Sequence, residues 1–263
     1  MNWVTITVIV VMVILYELLI MEKRINNIMD KYTRVARVYP AIIGVLPVFI
    51  LLALCMGEWL PKYREVAGNV KWILWMIGGT SLASLSVGYL ASELFRETSK
   101  WLFQYPLFKK DETEMPTTKM LLWQNAVISP AYHKLIANKV KATFGIKLPT
   151  PEEEQSDISK ALKTIVDVVS QIRQYCRGDI ILRQYNIEFG FCRNYLGASV
   201  WDILVIIGLG FANVLCGWLS WWAIFLALLI QLLLMFCCFL VLETRGWSYA
   251  KYLFATFTGT YNK

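Results

Sequence analysis

In the stretch YNIEFGFCRNYLG, Tyr185 to Gly197, two asparagines, a carboxylate and a guanidinium stand among aromatic residues. Asn186, Glu188, Arg193 and Asn194 are the residues here that could hold a polar ligand or gate a passage. An amide offers both donors and an acceptor, a carboxylate only acceptors, and a guanidinium a rigid fork of donors. On a helix Asn186, Gly190 and Asn194 recur every four residues and share a face. A second reading needs no ligand. The stretch runs directly into a long apolar segment that begins near Val200, and Tyr185, Phe191, Arg193 and Tyr195 would seat aromatic and basic groups at the level of lipid headgroups. This membrane-entry hinge is the stronger reading, with the ligand or gating site as the alternative.

Elsewhere the residue types argue against catalysis. The one histidine, His133, has no serine, cysteine or carboxylate beside it in sequence to act as nucleophile or orienting partner, and at a helix start it is expected to be a polar surface residue. Of the six cysteines, Cys55, Cys216, Cys237 and Cys238 lie in apolar runs, while Cys176 and Cys192 lack a CxxC partner. No catalytic residue, metal site or cofactor is expected. The run Glu152-Glu153-Glu154 is explained by the attraction of a helix N-terminus for carboxylates.

The elements that carry these residues follow from hydropathy. The chain of 263 residues is 57% hydrophobic and 17% charged, and its mean hydropathy is +0.50. That balance reads as an integral membrane protein rather than a water-soluble domain. The net charge of +7 then reflects the Lys and Arg of cytoplasmic loops, and nucleic acid is not an expected partner. Runs near the length of a bilayer-spanning helix lie at Trp3 to Met21, Pro40 to Met56, Val70 to Ala91, Val200 to Cys216 and Leu219 to Leu242. The first has neither a basic leader nor a small-residue cleavage site, so it is read as a retained anchor, interrupted by Glu17. The segment after it carries Lys23, Arg24, Lys31, Arg34 and Arg37. This loop is therefore placed inside, the N-terminus outside and the C-terminus inside. In the third run Thr80, Ser84, Gly88 and Ser92 recur every four residues, a strip of small side chains that lets helices approach closely in lipid. Asn213 and Gln231, polar groups in the last two runs, should face protein or water.

Between the third and fourth runs the pattern becomes that of a small helical domain. Ser129-Pro130 opens one helix, which Gly145 ends. Thr150-Pro151-Glu152-Glu153 carries a capping box and opens another, which places Ile158, Leu162, Ile165, Val169, Ile172 and Cys176 on one stripe before Gly178. The expected fold is thus all-α, an integral membrane protein of about five transmembrane helices with an inserted cytoplasmic helical domain. Its parts are a transmembrane region at 1–91, the helical domain at 92–199, a transmembrane hairpin at 200–245 and a cytoplasmic tail at 246–263.

Three segments, MPTTKMLLW at Met115, SPAYHKLIANKV with GIKLPTPEEE downstream, and NIEFGFCRNYLG, together resemble a group of bacterial multi-span membrane proteins. In that group a cytoplasmic helical domain is inserted between transmembrane segments. The resemblance covers roughly the middle half of the chain. It departs from the group's pattern at Tyr185, where Glu is usual, at Phe189, where Tyr is usual, and at Cys192, where a second Arg is usual. It implies a shared fold, location in the bacterial inner membrane and a loose association with phage defence or mobile elements. The expected function is non-enzymatic: a cytoplasmic sensing domain coupled to helix assembly or membrane permeability, as a channel-like effector. The alternative is a membrane-anchored subunit for docking or assembly. The expected partners are membrane lipids, further copies of the chain in a homo-oligomer, and a cytoplasmic protein or small-molecule signal.

Overall fold

A computed structural model describes residues 30–59, 81–217 and 219–259. The expected run Trp3 to Met21 with Glu17, and the greater part of Val70 to Ala91, lie outside these residues. The described chain is helical, with no strand among the described residues. Its principal helices are α1 (Tyr39–Gly44), α2 (Leu46–Trp59), α3 (Ser81–Ser99), α4 (Pro130–Phe144), α5 (Pro151–Ser156), α6 (Ile158–Tyr175), α7 (Ile180–Cys216) and α8 (Trp221–Thr258). Among the described residues three stretches are long and apolar enough to cross a membrane: Lys31–Leu52, Ile180–Cys216 and Trp221–Thr258. The chain divides into two compact units. One comprises the described residues up to Ser99 with Phe191–Phe239, and the other Lys100–Gly190 with the described residues from Leu240 onward.

Proline shapes the first unit. Lys31–Thr33 passes through a π-helical turn at Arg34–Val38 into α1. Pro40 has no N–H to offer the Ala36 carbonyl, and its ring crowds that oxygen, so the helix widens one turn before it. The device recurs at Lys100–Gln104, ahead of Tyr105-Pro106 in the second unit: RVARVYP and KWLFQYP each run from a basic residue to Tyr-Pro. A local break follows α1. Val45 leaves helical geometry at φ −100° and ψ 3°, and although Val45 still donates to Ala41 and Phe49 to Val45, Pro47 cannot donate to Ile43.

Small residues set the spacing of helices in this unit. A Cβ on Gly44 would lie 2.5 Å from that of Ala198, and one on Gly197 would overlap the Phe95 carbonyl. Backbones therefore meet at Gly44 with α7 and at Gly197 with α3. Val48, Leu51, Ile206, Leu219 and Ile224 form an apolar cluster nearby. The turn between α7 and α8 is held by Asn213, whose amide donates to the Leu219 carbonyl at 2.9 Å while its oxygen accepts from the Leu219 N–H at 2.7 Å. The outer faces of both helices stay apolar, with Phe211, Leu215, Leu226, Leu229, Leu233 and Phe236 exposed, as lipid-facing helices require.

The second unit is built on caps and aromatic packing. Ser129 accepts from the Tyr132 N–H at 3.2 Å to start α4, and Gly145, at φ +71°, ends it. Thr150 and Glu153 form the reciprocal capping box of α5. The single helix expected from Thr150 is in fact two. Asp157 leaves helical geometry, and its side chain accepts from the Lys160 N–H at 3.0 Å, so it caps a new helix, α6. On the expected stripe Ile165, Val169, Ile172 and Cys176 are buried, Leu162 partly so, and Ile158, the first residue after the break, is exposed. Residues 246–258, read from the sequence as a tail, continue α8. They place Ala250, Leu253, Phe254 and Phe257 in the core beside Ile136, Val140 and Ile172. Phe257 stacks on Phe144 at 5.7 Å and meets Tyr175 edge-on at 5.7 Å.

Candidate functional site

The four polar residues of YNIEFGFCRNYLG are divided between the two units. All lie on α7, but Arg193 and Asn194 belong to the first unit, and Asn186 and Glu188 to the second. Glu188 pairs with Arg245 at 2.5 Å and accepts from Gln184 at 3.4 Å, while Asn186 is half-buried. Asn194 is buried. Its amide donates to the carbonyl of Ala36, the oxygen that Pro40 leaves without its helical donor, and its own oxygen accepts from Arg193 Nε at 3.3 Å. Around Arg193 lie Tyr32, Arg37, Arg96 and Glu97. Glu93 ties Arg37 at 3.1 Å and Arg96 at 2.6 Å. These ion pairs are partly solvated, and each contributes on the order of 1 kcal/mol or less.

Of the expected packing strip, Ser92 is buried and donates to the Tyr89 carbonyl at 2.7 Å. Gly88 is exposed, with none of the described residues within 4 Å of a Cβ placed on it. Thr80 and the side chain of Ser84 lie outside the described residues. The buried face of α3 is instead Ser92, Phe95 and Ser99, and Ser99 donates to the carbonyl of Arg193. Among the described residues, close approach in this unit falls on Gly44 and Gly197.

The most unusual chemistry lies at the helix break between α1 and α2. In an unbroken helix the Val48 N–H would bond to the Gly44 carbonyl. Here the Val48 N–H goes to Asp202 Oδ1 at 3.3 Å, and the Gly44 carbonyl accepts from Gln231 Nε2 at 3.0 Å. Asp202 comes from α7 and Gln231 from α8, and both are buried, at 1% and 0% exposure. Tyr195 supports Gln231 by donating to its Oε1 at 3.4 Å, and Ser199 donates to the Tyr195 carbonyl at 2.8 Å. Asp202 Oδ2 is buried and has no hydrogen-bond partner among the described residues. Gln231 and Asn213 are expected to face protein or water, and both face protein. Asp202 and Pro47 are not among the expected site residues. Their signal is an acid and a proline inside runs long enough to span a bilayer.

The second unit corrects two further expectations. His133 is buried, not on the surface: its Nε2 pairs with the Leu121 carbonyl at 2.8 Å, and its ring lies 3.7 Å from that of Trp123. Apolar neighbours on α4 and the turn before it draw the imidazole inward once one nitrogen finds a carbonyl. Glu154 does more than complement a helix N-terminus. It is buried, and its two oxygens accept from the N–H groups of Trp123 and Gln124 at 2.9 and 3.1 Å, which fixes the turn at Trp123–Asn125. Beside that turn a cavity of about 230 Å³ is lined by Leu122, Trp123, Val127, Ile128, Pro130 and His133. Burial pushes the Cys176 thiol up to about 11, which keeps it protonated and unreactive at neutral pH. Among the described residues no cluster of His, Cys, Asp and Glu could hold a metal ion.

No protein-family model, curated protein or solved structure matches the chain.

Proposed function

We propose that this chain is a non-enzymatic, multi-pass membrane protein in which a signal taken up by the second, helical unit changes the packing of the first unit and, with it, membrane permeability. The observation that carries this reading is the helix break at Gly44–Pro47, whose freed backbone groups are met by Asp202 and Gln231. In lipid, non-helical backbone persists only where protein or water covers it. Side chains that cover it from two other helices can exchange partners, whereas an unbroken hydrogen-bonded helix cannot. Such a break is a natural pivot for gating.

The proposed topology has five spans, with the N-terminus outside, the second unit inside and the C-terminus inside the bacterial cytoplasmic membrane. The basic residues Lys31, Arg34 and Arg37 ahead of α1 support the inside placement of that loop. Reconstitution of the full chain into liposomes tests the permeability reading: ion flux is expected, and Gln231→Leu, which strips the Gly44 carbonyl of its donor, should change its rate or trigger. Liposomes as tight as protein-free ones under every condition tried would remove the reading.

The cavity beside Trp123 favours a second reading, a docking subunit, because a recess that joins apolar side chains to the polar Ser129 and His133 accepts a partner's aromatic or amphipathic side chain. In that case Val127→Arg should abolish partner capture and leave membrane insertion intact. Unchanged capture would exclude the recess.

A further inference from the structure

We propose that Asp202 is a proton-binding site inside the first unit, taking up a proton on Oδ2 while Oδ1 continues to accept from the Val48 N–H. The inference rests on the permeability reading's helix break and deepens it by giving the pivot a proton as a trigger; what it adds is the second carboxylate oxygen of Asp202.

Two observations meet at this carboxyl. The first is the N-terminus of α2, a helix of 14 residues, which begins at the break and offers the Val48 N–H to Oδ1 at 3.3 Å. That contact alone would make Asp202 no more than a cap supplied by another helix. The second is that Oδ2 is buried and unpartnered among the described residues, on a residue 1% exposed, when any cap or polar network has every reason to use both oxygens. A carboxylate with one bare oxygen away from water is costly unless that oxygen is neutralised.

The surroundings select the neutralising species. Toward α2 the neighbours are Val48 and Leu51, and along α7 the next turn brings Ile206, all members of an apolar cluster. The groups that face Asp202 are uncharged: the Val48 amide from α2 and the Tyr195 phenol from its own helix, with the Gln231 amide of α8 one turn away along the broken backbone. Among the described residues no lysine or arginine reaches it, and no second carboxylate. A metal cation needs about six oxygen ligands, and this wall supplies one free oxygen. A proton needs only that one.

The exchange balances simply. Hydronium transfers a proton to Oδ2 and leaves as water, and the carboxylate becomes a neutral carboxylic acid. In the ionised form Oδ2 demands a donor that the closed break does not provide, so water or a donor must enter. In the protonated form the break can stay dry. Proton binding therefore favours the closed arrangement, and proton release favours an opened one.

Infrared difference spectroscopy on the full chain in liposomes, titrated from acid to alkaline buffer, tests the assignment. A carboxylic-acid carbonyl band that disappears on alkalinisation and is missing in Asp202→Asn is expected. The asparagine preserves the acceptor for Val48, so that variant should fold, and accessibility at a cysteine placed at Leu51 should lose its pH dependence. Asp202→Glu should keep a titrating band. If Asp202 is only a cap, Asn will match the wild type in every pH-dependent readout, and the proposal falls. It falls also if sodium or potassium moves the band at constant pH, because a metal cation is then the ligand. A titrating Asp202 band in vesicles that show no flux keeps the proton site and removes the permeability reading.

Discussion

The two units differ in what fills their interiors and in what their polar side chains bond. In the first, Asn194, Gln231, Asp202 and Ser99 all reach from one helix to the backbone of another, and two of the carbonyls they meet, at Ala36 and Gly44, are ones that Pro40 or the break beside Pro47 leaves without a helical donor. In the second, Ser129, Thr150 and Asp157, none of them buried, cap their own helices, the buried His133 and Glu154 hold the backbone at Leu121 and at Trp123 and Gln124, and the interior is filled mainly by apolar side chains such as Phe254, Phe257, Ile136 and Ile172. The contrast is the one that the proposed placement of the first unit in lipid and the second in water would produce. An apolar exterior gains little from burying more apolar surface, so specificity must come from close approach and polar partners. A unit with caps and a stripe gains most of its stability from removing apolar area from water.

That comparison can be broken, starting with the largest effect. Phe257→Ala should destabilise the second unit by about 3–5 kcal/mol, because it empties the ring from between Phe144 and Tyr175. Denaturant unfolding followed by tyrosine and tryptophan fluorescence reads this, and a loss below about 1 kcal/mol would mean that the C-terminal turns are not core. Glu154→Ala comes next. It leaves the Trp123 and Gln124 amides without their acceptor and should cost about 2–3 kcal/mol, with faster amide exchange confined to the turn at Trp123–Asn125.

The first unit should respond instead to added volume. Gly197→Ala forces α3 and α7 apart where the Phe95 carbonyl sits, at a cost of about 1–3 kcal/mol, whereas Gly88→Ala meets none of the described residues and should leave monomer stability unchanged. Thermal unfolding of the two variants in detergent distinguishes them, and equal behaviour would show that small-residue packing does not set this unit's helix spacing.

The smallest effect is electrostatic. The Thr150 backbone N–H bonded to Glu153 holds that carboxyl below its usual range. A group depressed in the folded state contributes stability at neutral pH, and that contribution is lost as pH falls through the carboxylate range. Glu153→Gln should therefore flatten the acid limb of the second unit's stability profile slightly and change little at neutral pH, as paired melts in acid and neutral buffer would show.

Periodicity, and chemistry local to a few residues, can be read directly along the chain. The all-α class, the caps at Ser129 and Thr150, the stop at Gly145 and the apolar runs around Val200 and Leu219 all depend on neighbours within about one helical turn, and sequence carries that information without help from distant segments. Gln231 and Asn213 are legible too, because a polar side chain in an apolar run must find a partner wherever the chain takes it. Which partner it finds is another matter. Nothing along the chain links Gln231 to the Gly44 carbonyl, Asn194 to Ala36 or Asp202 to Val48, since these pairs are separated by 187, 158 and 154 positions. The burial of His133, the second role of Glu154 and the inclusion of Phe257 in the core likewise depend on which surfaces other helices cover. Local patterns decide which backbone groups a proline or a break sets free. Only the tertiary structure decides which distant side chain answers them, because that choice rests on the packing of helices whose mutual registry no single helix encodes.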